Sequence, residues 1–124
     1  MKNVTDAPKN IPKELLVNAD KLNAMEAIFV LFYFKGNEWR SYEQIIKELR
    51  DIGIPVKPET VERQVRLMCE KGFMTFVETE KKEGGGGSKP KVFRLSERGL
   101  VKADSVIRSI LRKFVPRSSA KSQE

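Results

Sequence analysis

Residues able to hold a polyanion crowd one stretch of this chain, Pro58 to Leu95. Thr60, Arg63, Gln64 and Arg66 fall on the polar face of a helix expected to open at Pro58 and stop at Gly72. Arginine and glutamine can read guanine and adenine edges through paired hydrogen bonds, and threonine can bond either a base or a phosphate. Lys81, Lys82, Lys89 and Lys91 surround the run Gly84-Gly-Gly-Gly-Ser88. Lysines there, with Ser88 beside them, would lie on phosphates or in a minor groove, and glycines let backbone N–H groups come close to phosphate oxygens. This is binding chemistry. Covalent chemistry is poorly served, because the chain has no histidine, one cysteine and no nucleophile beside a base. No catalytic residue, metal ligand, cofactor or small-molecule ligand is expected. A phosphate-loop reading of the glycines fails, since no Gly-Lys-Ser/Thr follows and no helix begins there.

The elements that would carry these residues can be read on either side. Val61, Val65, Met68 and Cys69, spaced four, three and one, make the apolar face of the same helix. Cys69 on that face reads as a small buried filler rather than a reactive thiol. Strand-like runs, Phe73 to Glu80 and Val92 to Leu95, enter and leave the glycine tip. Engineered linkers share the tip's composition, but flanking strands and surrounding lysines argue for a native turn. Glu59 and Glu62 suit the positive end of the helix and would repel phosphate in a groove. Only modest sequence specificity is therefore expected. The same residues also suit a solvated helix face and a loose hairpin tip.

Upstream, Ile11 to Val17 fits a short helix capped by Asn10, with Pro12 in its first turn. Asn23 and Glu26 have capping-box spacing before the apolar run Ala27 to Phe34, with Asp20 as an alternative cap. That run is apolar nearly all round, so its phenylalanines are assigned to core and subunit interface rather than to a ligand pocket. Asn37 to Arg40 fits a short extended piece beside the hairpin, with Trp39 as a hinge of the core. Ser41 and Gln44 cap the next helix, striped by Ile45, Ile46, Leu49 and Ile52 and stopped at Gly53. Ser96 caps a last helix, Glu97 to Val115, ended by Pro116.

In that last helix Leu100, Ala103, Ile107, Ile110 and Phe114 are spaced three, four, three and four, the pattern of a helix–helix seam. Packing within one subunit and pairing between two subunits both explain it. Dimerisation is favoured, on the premise that a small domain already has its core and this stripe is surplus.

Charge is unevenly placed. Residues 1–56 hold eight Lys/Arg and eight Asp/Glu, and residues 57–124 hold sixteen and nine, so the second half carries the whole formal excess of +7. Such a concentration points to a polyanion partner. The apolar runs are too short to span a bilayer, and no secretory leader pattern opens the chain. A cytoplasmic, nucleoid-associated protein is expected.

Helix, short strand, capped helix, helix, hairpin, helix is the winged helix-turn-helix order. The runs Ser41 to Gly53 and Val61 to Phe73 look like the two helices of that motif, and Val92 to Gly99 looks like the strand and helix start that follow the wing. Over about residues 20–115 the chain resembles the small archaeal winged-helix transcription regulators distantly related to the leucine-responsive and multiple-antibiotic-resistance regulators. It is most similar to the archaeal biofilm-regulator group. The resemblance implies a mainly α fold with a small β-hairpin. Residues 1–19 would form an arm or short helix, 20–95 the winged domain, 96–116 the dimerisation helix and 117–124 a disordered tail. It implies a homodimer paired through antiparallel C-terminal helices and bound to double-stranded DNA. Eight positions separate Gly53 from Val61 where the commoner pattern has about six, which would tilt the recognition helix. An architectural chromatin-like role and a protein-interaction module of a larger assembly are the alternatives, because fold alone does not give function. Ser88, expected at an open tip, is a candidate phosphorylation site. A phosphate there would add about −1.5 to −2 charges among the lysines.

Overall fold

The computed structural model describes residues 10–79 and 90–115. The fold is mainly helical, with one two-stranded antiparallel hairpin ahead of the C-terminal helix. Its elements are α1 (Lys13–Val17), a 3-10 turn (Ala19–Lys21), α2 (Ala24–Lys35), α3 (Tyr42–Asp51), α4 (Pro58–Glu70), β1 (Met74–Glu78), β2 (Lys91–Leu95) and α5 (Glu97–Phe114). No helix among the described residues is long and apolar enough to cross a membrane.

Local signals set most of these boundaries. Asn23 and Glu26 close a reciprocal capping box at 2.8 and 2.9 Å, so Asn23 starts α2 and Asp20 does not. Ser41 and Gln44 do the same for α3. Pro58 is the first residue of α4, where its missing N–H costs nothing. At the other end Phe73 N–H reaches Met68 O at 2.8 Å and Gly72 N–H reaches Cys69 O at 3.1 Å, with Gly72 at φ 83°. This paired closure needs a left-handed residue, which glycine supplies without a Cβ penalty. Asn10 does not cap α1; the helix begins at Lys13 with Pro12 at the cap position and no side-chain bond there.

One core joins the helices. α2 is buried almost throughout, from Ala27 to Phe32 and again at Phe34, because α3, α4 and α5 all pack against it. Ile45 and Leu49 of α3, and Val61, Val65 and Met68 of α4, complete one side. Leu15 of α1 and Ala103, Ile107 and Ile110 of α5 belong to the same cluster. The premise that the α5 stripe is surplus therefore fails. Ala103, Ile107 and Ile110 are at most 3% exposed within a single chain and offer no surface to a second copy. Leu100 remains 43% exposed, and Phe114 is half-buried.

The extended piece after α2 reaches the hairpin by a single bridge, Arg40 to Phe93, with N···O distances of 2.9 and 2.8 Å. The alternation of side chains there is the reverse of the expected one. Arg40 points inward, only 5% exposed, with Nε 2.9 Å from Glu48, Nη1 2.7 Å from Gly36 O and its guanidinium 4.9 Å from the Phe32 ring centre. Trp39 is no hinge of the core. It lies half-buried outside, beneath the Arg94 guanidinium at 4.3 Å. A buried guanidinium is tolerated here because an ion pair, a carbonyl and a ring face replace its water. One step along, the Asn37 side chain stands in for a strand. Its Oδ1 accepts from Leu95 N–H at 2.8 Å and its Nδ2 donates to Leu95 O at 3.1 Å.

Candidate nucleic-acid interface

α4 turns its apolar stripe onto the core and leaves the opposite surface open. Placed at about 100° per residue, Arg63 and Leu67 lie near the middle of that surface. Arg66 falls on one flank, and Thr60 and Gln64 on the other. Arg63 and Arg66 are exposed, while Thr60 and Gln64 are half-buried. One flat edge thus cannot meet Gln64 and Arg66 equally, so the four predicted contacts split into two groups around Arg63. The outer surface also carries Glu59, Glu62 and Glu70 against Arg63, Arg66 and Lys71, all exposed, so its formal charge is zero. Leu67, 39% exposed, does not stand out in the sequence, because it lies off the apolar stripe. Its place four residues after Arg63 is the signal that would have found it.

Positive charge approaches α4 from the hairpin instead. β1 and β2 pair from Met74 opposite Leu95 to Glu78 opposite Lys91. Lys91 does not extend away from the sheet. Its Nζ sits 4.8 Å from the Phe76 ring centre, and its charge reaches Cys69 of α4. Burial pushes the Cys69 thiol up, and Lys91 opposes that rise. Cys69 is half-buried and stays protonated at neutral pH, so it is a packing residue at the edge of the core. Lys81, Lys82, Ser88 and Lys89 lie outside the described residues.

A row of rings runs from the start of α3 across the hairpin. Tyr42, the first residue of α3, is 4.7 Å from Phe93, and Phe93 is 6.0 Å from Phe76. Burial pushes the Tyr42 phenol up, while the Arg66 guanidinium beside it acts in the opposite sense. Arg66 from α4 thus stands at one end of the row and Lys91 from β2 at the other. The Phe76 ring holds Lys91, Arg66 acts on the Tyr42 phenol together with Glu62, and the buried Phe93 ring joins the two ends. Ring faces orient cations and leave their charge available to an anion. Such a pair of cations flanking an exposed helix can take phosphates on either side of a groove. Among the described residues no group of three or more His, Cys, Asp or Glu could hold a metal ion.

Comparisons add no relative: no family model, no curated protein and no solved structure matches this chain.

Proposed function

We propose that this protein is a winged helix-turn-helix DNA-binding regulator that acts as a homodimer. In this reading α3 and α4 are the two helices of the motif, the hairpin is the wing, and α4 enters the major groove of double-stranded DNA. The observation that carries the reading is the convergence of Arg66 and Lys91, from α4 and the hairpin, on one aromatic row beside the open face of α4. Arg63 supplies the base contact at the centre of that face, and Thr60 and Gln64 line its flank. The lysines of the glycine-rich segment add phosphate contacts. Zero net charge on the outer surface of α4 argues for positioning by the backbone and modest discrimination between sequences. Arg66→Ala should weaken binding to any duplex about 5- to 10-fold, whatever its sequence, because it removes a phosphate contact. Fluorescence anisotropy on two unrelated duplexes checks this. A loss confined to one sequence would make Arg66 a base reader instead.

The subunit contact moves to the flank of α5 that the core leaves open. Leu100 and Val101 are 43% and 73% exposed there, and Leu111 is half-buried. In an antiparallel pair centred between Asp104 and Arg108, Val101 meets Leu111 of the other subunit. Asp104 meets Arg108, so the pair now closed within one chain at 3.0 Å becomes shared. Val101→Glu should give folded monomers by sedimentation, because the site is already exposed in one subunit. Ile107→Glu should instead unfold the chain, since it places a charge in the core. A Val101→Glu protein that remains dimeric would remove this interface.

The alternative reading is a protein-interaction module, favoured by the neutral α4 surface and by Phe76 and Val77, 44% and 45% exposed on the outer strand of the hairpin. Duplex binding that is absent at low salt would select it.

A further inference from the structure

α5 divides its charges between two sides. At about 100° per residue, Arg98, Lys102, Ser109 and Lys113 share one side, with Arg112 at its border. All five are exposed. The carboxylates of the helix, Glu97 and Asp104, lie on the other side, and Asp104 is taken by Arg108 at 3.0 Å. Among the described residues no carboxylate pairs with Arg98, Lys102, Arg112 or Lys113. Rings hold three of them instead. The charged groups of Arg98 and Lys102 lie 5.6 and 5.9 Å from the Phe73 ring centre, and that of Lys113 lies 5.6 Å from the ring centre of Phe114.

From Arg98 to Lys113 the helix advances about 22 Å. A single small anion cannot use that length. A duplex, which presents one charge per about 1.7 Å of axis, can. The first turn of the stripe lies beside the end of α4, where Arg98 sits against Gly72 and, with Lys102, over Phe73. α5 packs on α2, α1 and β2, whereas α4 packs on α2, α3 and β1. Beyond that turn, α2 is the main packing partner the two helices share.

We infer that the basic side of α5 is a second nucleic-acid surface, which takes the phosphate backbone of a second DNA duplex while α4 and the hairpin hold the first. The protein then bridges duplexes. The inference rests on the DNA-binding reading above but adds a surface which that reading does not require.

The test uses the full chain, one duplex tethered to beads and a labelled free duplex of random sequence at low salt. Native protein should retain the labelled duplex on the beads. Arg98→Gln/Lys102→Gln/Lys113→Gln should bind a single duplex within about twofold of native and lose most of the retention, about fivefold or more. The charge-preserving counterpart, Arg98→Lys/Lys102→Arg/Lys113→Arg, should bridge like native. Overlaid melting curves establish that both variants fold. Undiminished retention by the glutamine variant would overturn the inference, since bridging would then run through the paired α4 surfaces of a dimer. Native protein that binds one duplex but retains no second would overturn it while leaving the DNA-binding reading intact. Failure to bind any duplex removes both. Native protein that takes polyglutamate along α5, and no second duplex, would reassign the stripe to an acidic protein and also overturn the inference.

Discussion

Gly99→Ala should destabilise the protein, although alanine ordinarily improves a helix. In an exposed helix interior the exchange gains about 1 kcal/mol. Gly99 lies in the first turn of α5, fully buried, and an added Cβ would overlap the carbonyl oxygen of Phe73. That obstacle is backbone, and it is fixed from several directions. Ser96 N–H donates to the same Phe73 oxygen at 3.0 Å, the Ser96 hydroxyl donates to Gly72 O, and Ser96 Oγ accepts from Gly99 N–H at 3.0 Å. To make room, α5 must tilt away from the turn between α4 and β1, which opens its contacts with α2. Overpacking of this kind costs about 1–3 kcal/mol, and here the upper end applies. A net loss of about 2 kcal/mol should lower Tm by about 8 °C or more in a chain of this size. A thermal melt followed by circular dichroism measures it. An unchanged or raised Tm would show that the first turn of α5 can slide off the hairpin.

Gly99 also marks a limit on what the sequence discloses. The start of α5 is legible from Ser96, because a cap acts on residues three positions away. The starts of α2 and α3 are legible for the same reason. The need for a glycine at 99 is not, because the obstructing carbonyl comes from Phe73, on the far side of the hairpin. The α5 stripe behaves alike. Its spacing shows an apolar face, but periodicity cannot say whether α2 or a second subunit covers it. Trp39 and Arg40 mislead more sharply. Hydrophobicity favours tryptophan inside, yet the bridge between Arg40 and Phe93 fixes the alternation and Glu48 and Gly36 supply the partners that let the guanidinium be buried. Asn37 as a strand substitute gives no local sign at all, since Leu95 is 58 positions away.

The candidate site is legible in part for the same reasons. The exposure of Arg63 and Arg66 follows from the apolar stripe of α4, a local pattern. That Arg66 lies against Tyr42, or Lys91 against Phe76, depends on how α3 and the hairpin pack. The acidic residues among these cations are plain in the sequence, and they limit the discrimination expected between DNA sequences.

The DNA-binding account predicts its largest effect in salt. If each subunit sets three or four of its cations on phosphates, Arg66, Lys91 and one or two lysines of the glycine-rich segment, a dimer makes about six to eight contacts, for which log K should fall against log salt with a slope of about −5 to −7. Between 50 and 200 mM salt that is a loss of about three to four orders of magnitude in affinity. On this account the excess charge outside α4 carries the binding, because the outer surface of α4 is neutral. Hydrophobic or shape-driven association would show little of this dependence. The direct measurement is a titration of one random duplex with native protein at several salt concentrations in that range. A steep linear decline, nearly the same for a second unrelated duplex, is the predicted result. Affinity that holds across the salt range, or no binding at 50 mM, would contradict the account and move the protein to the interaction-module reading.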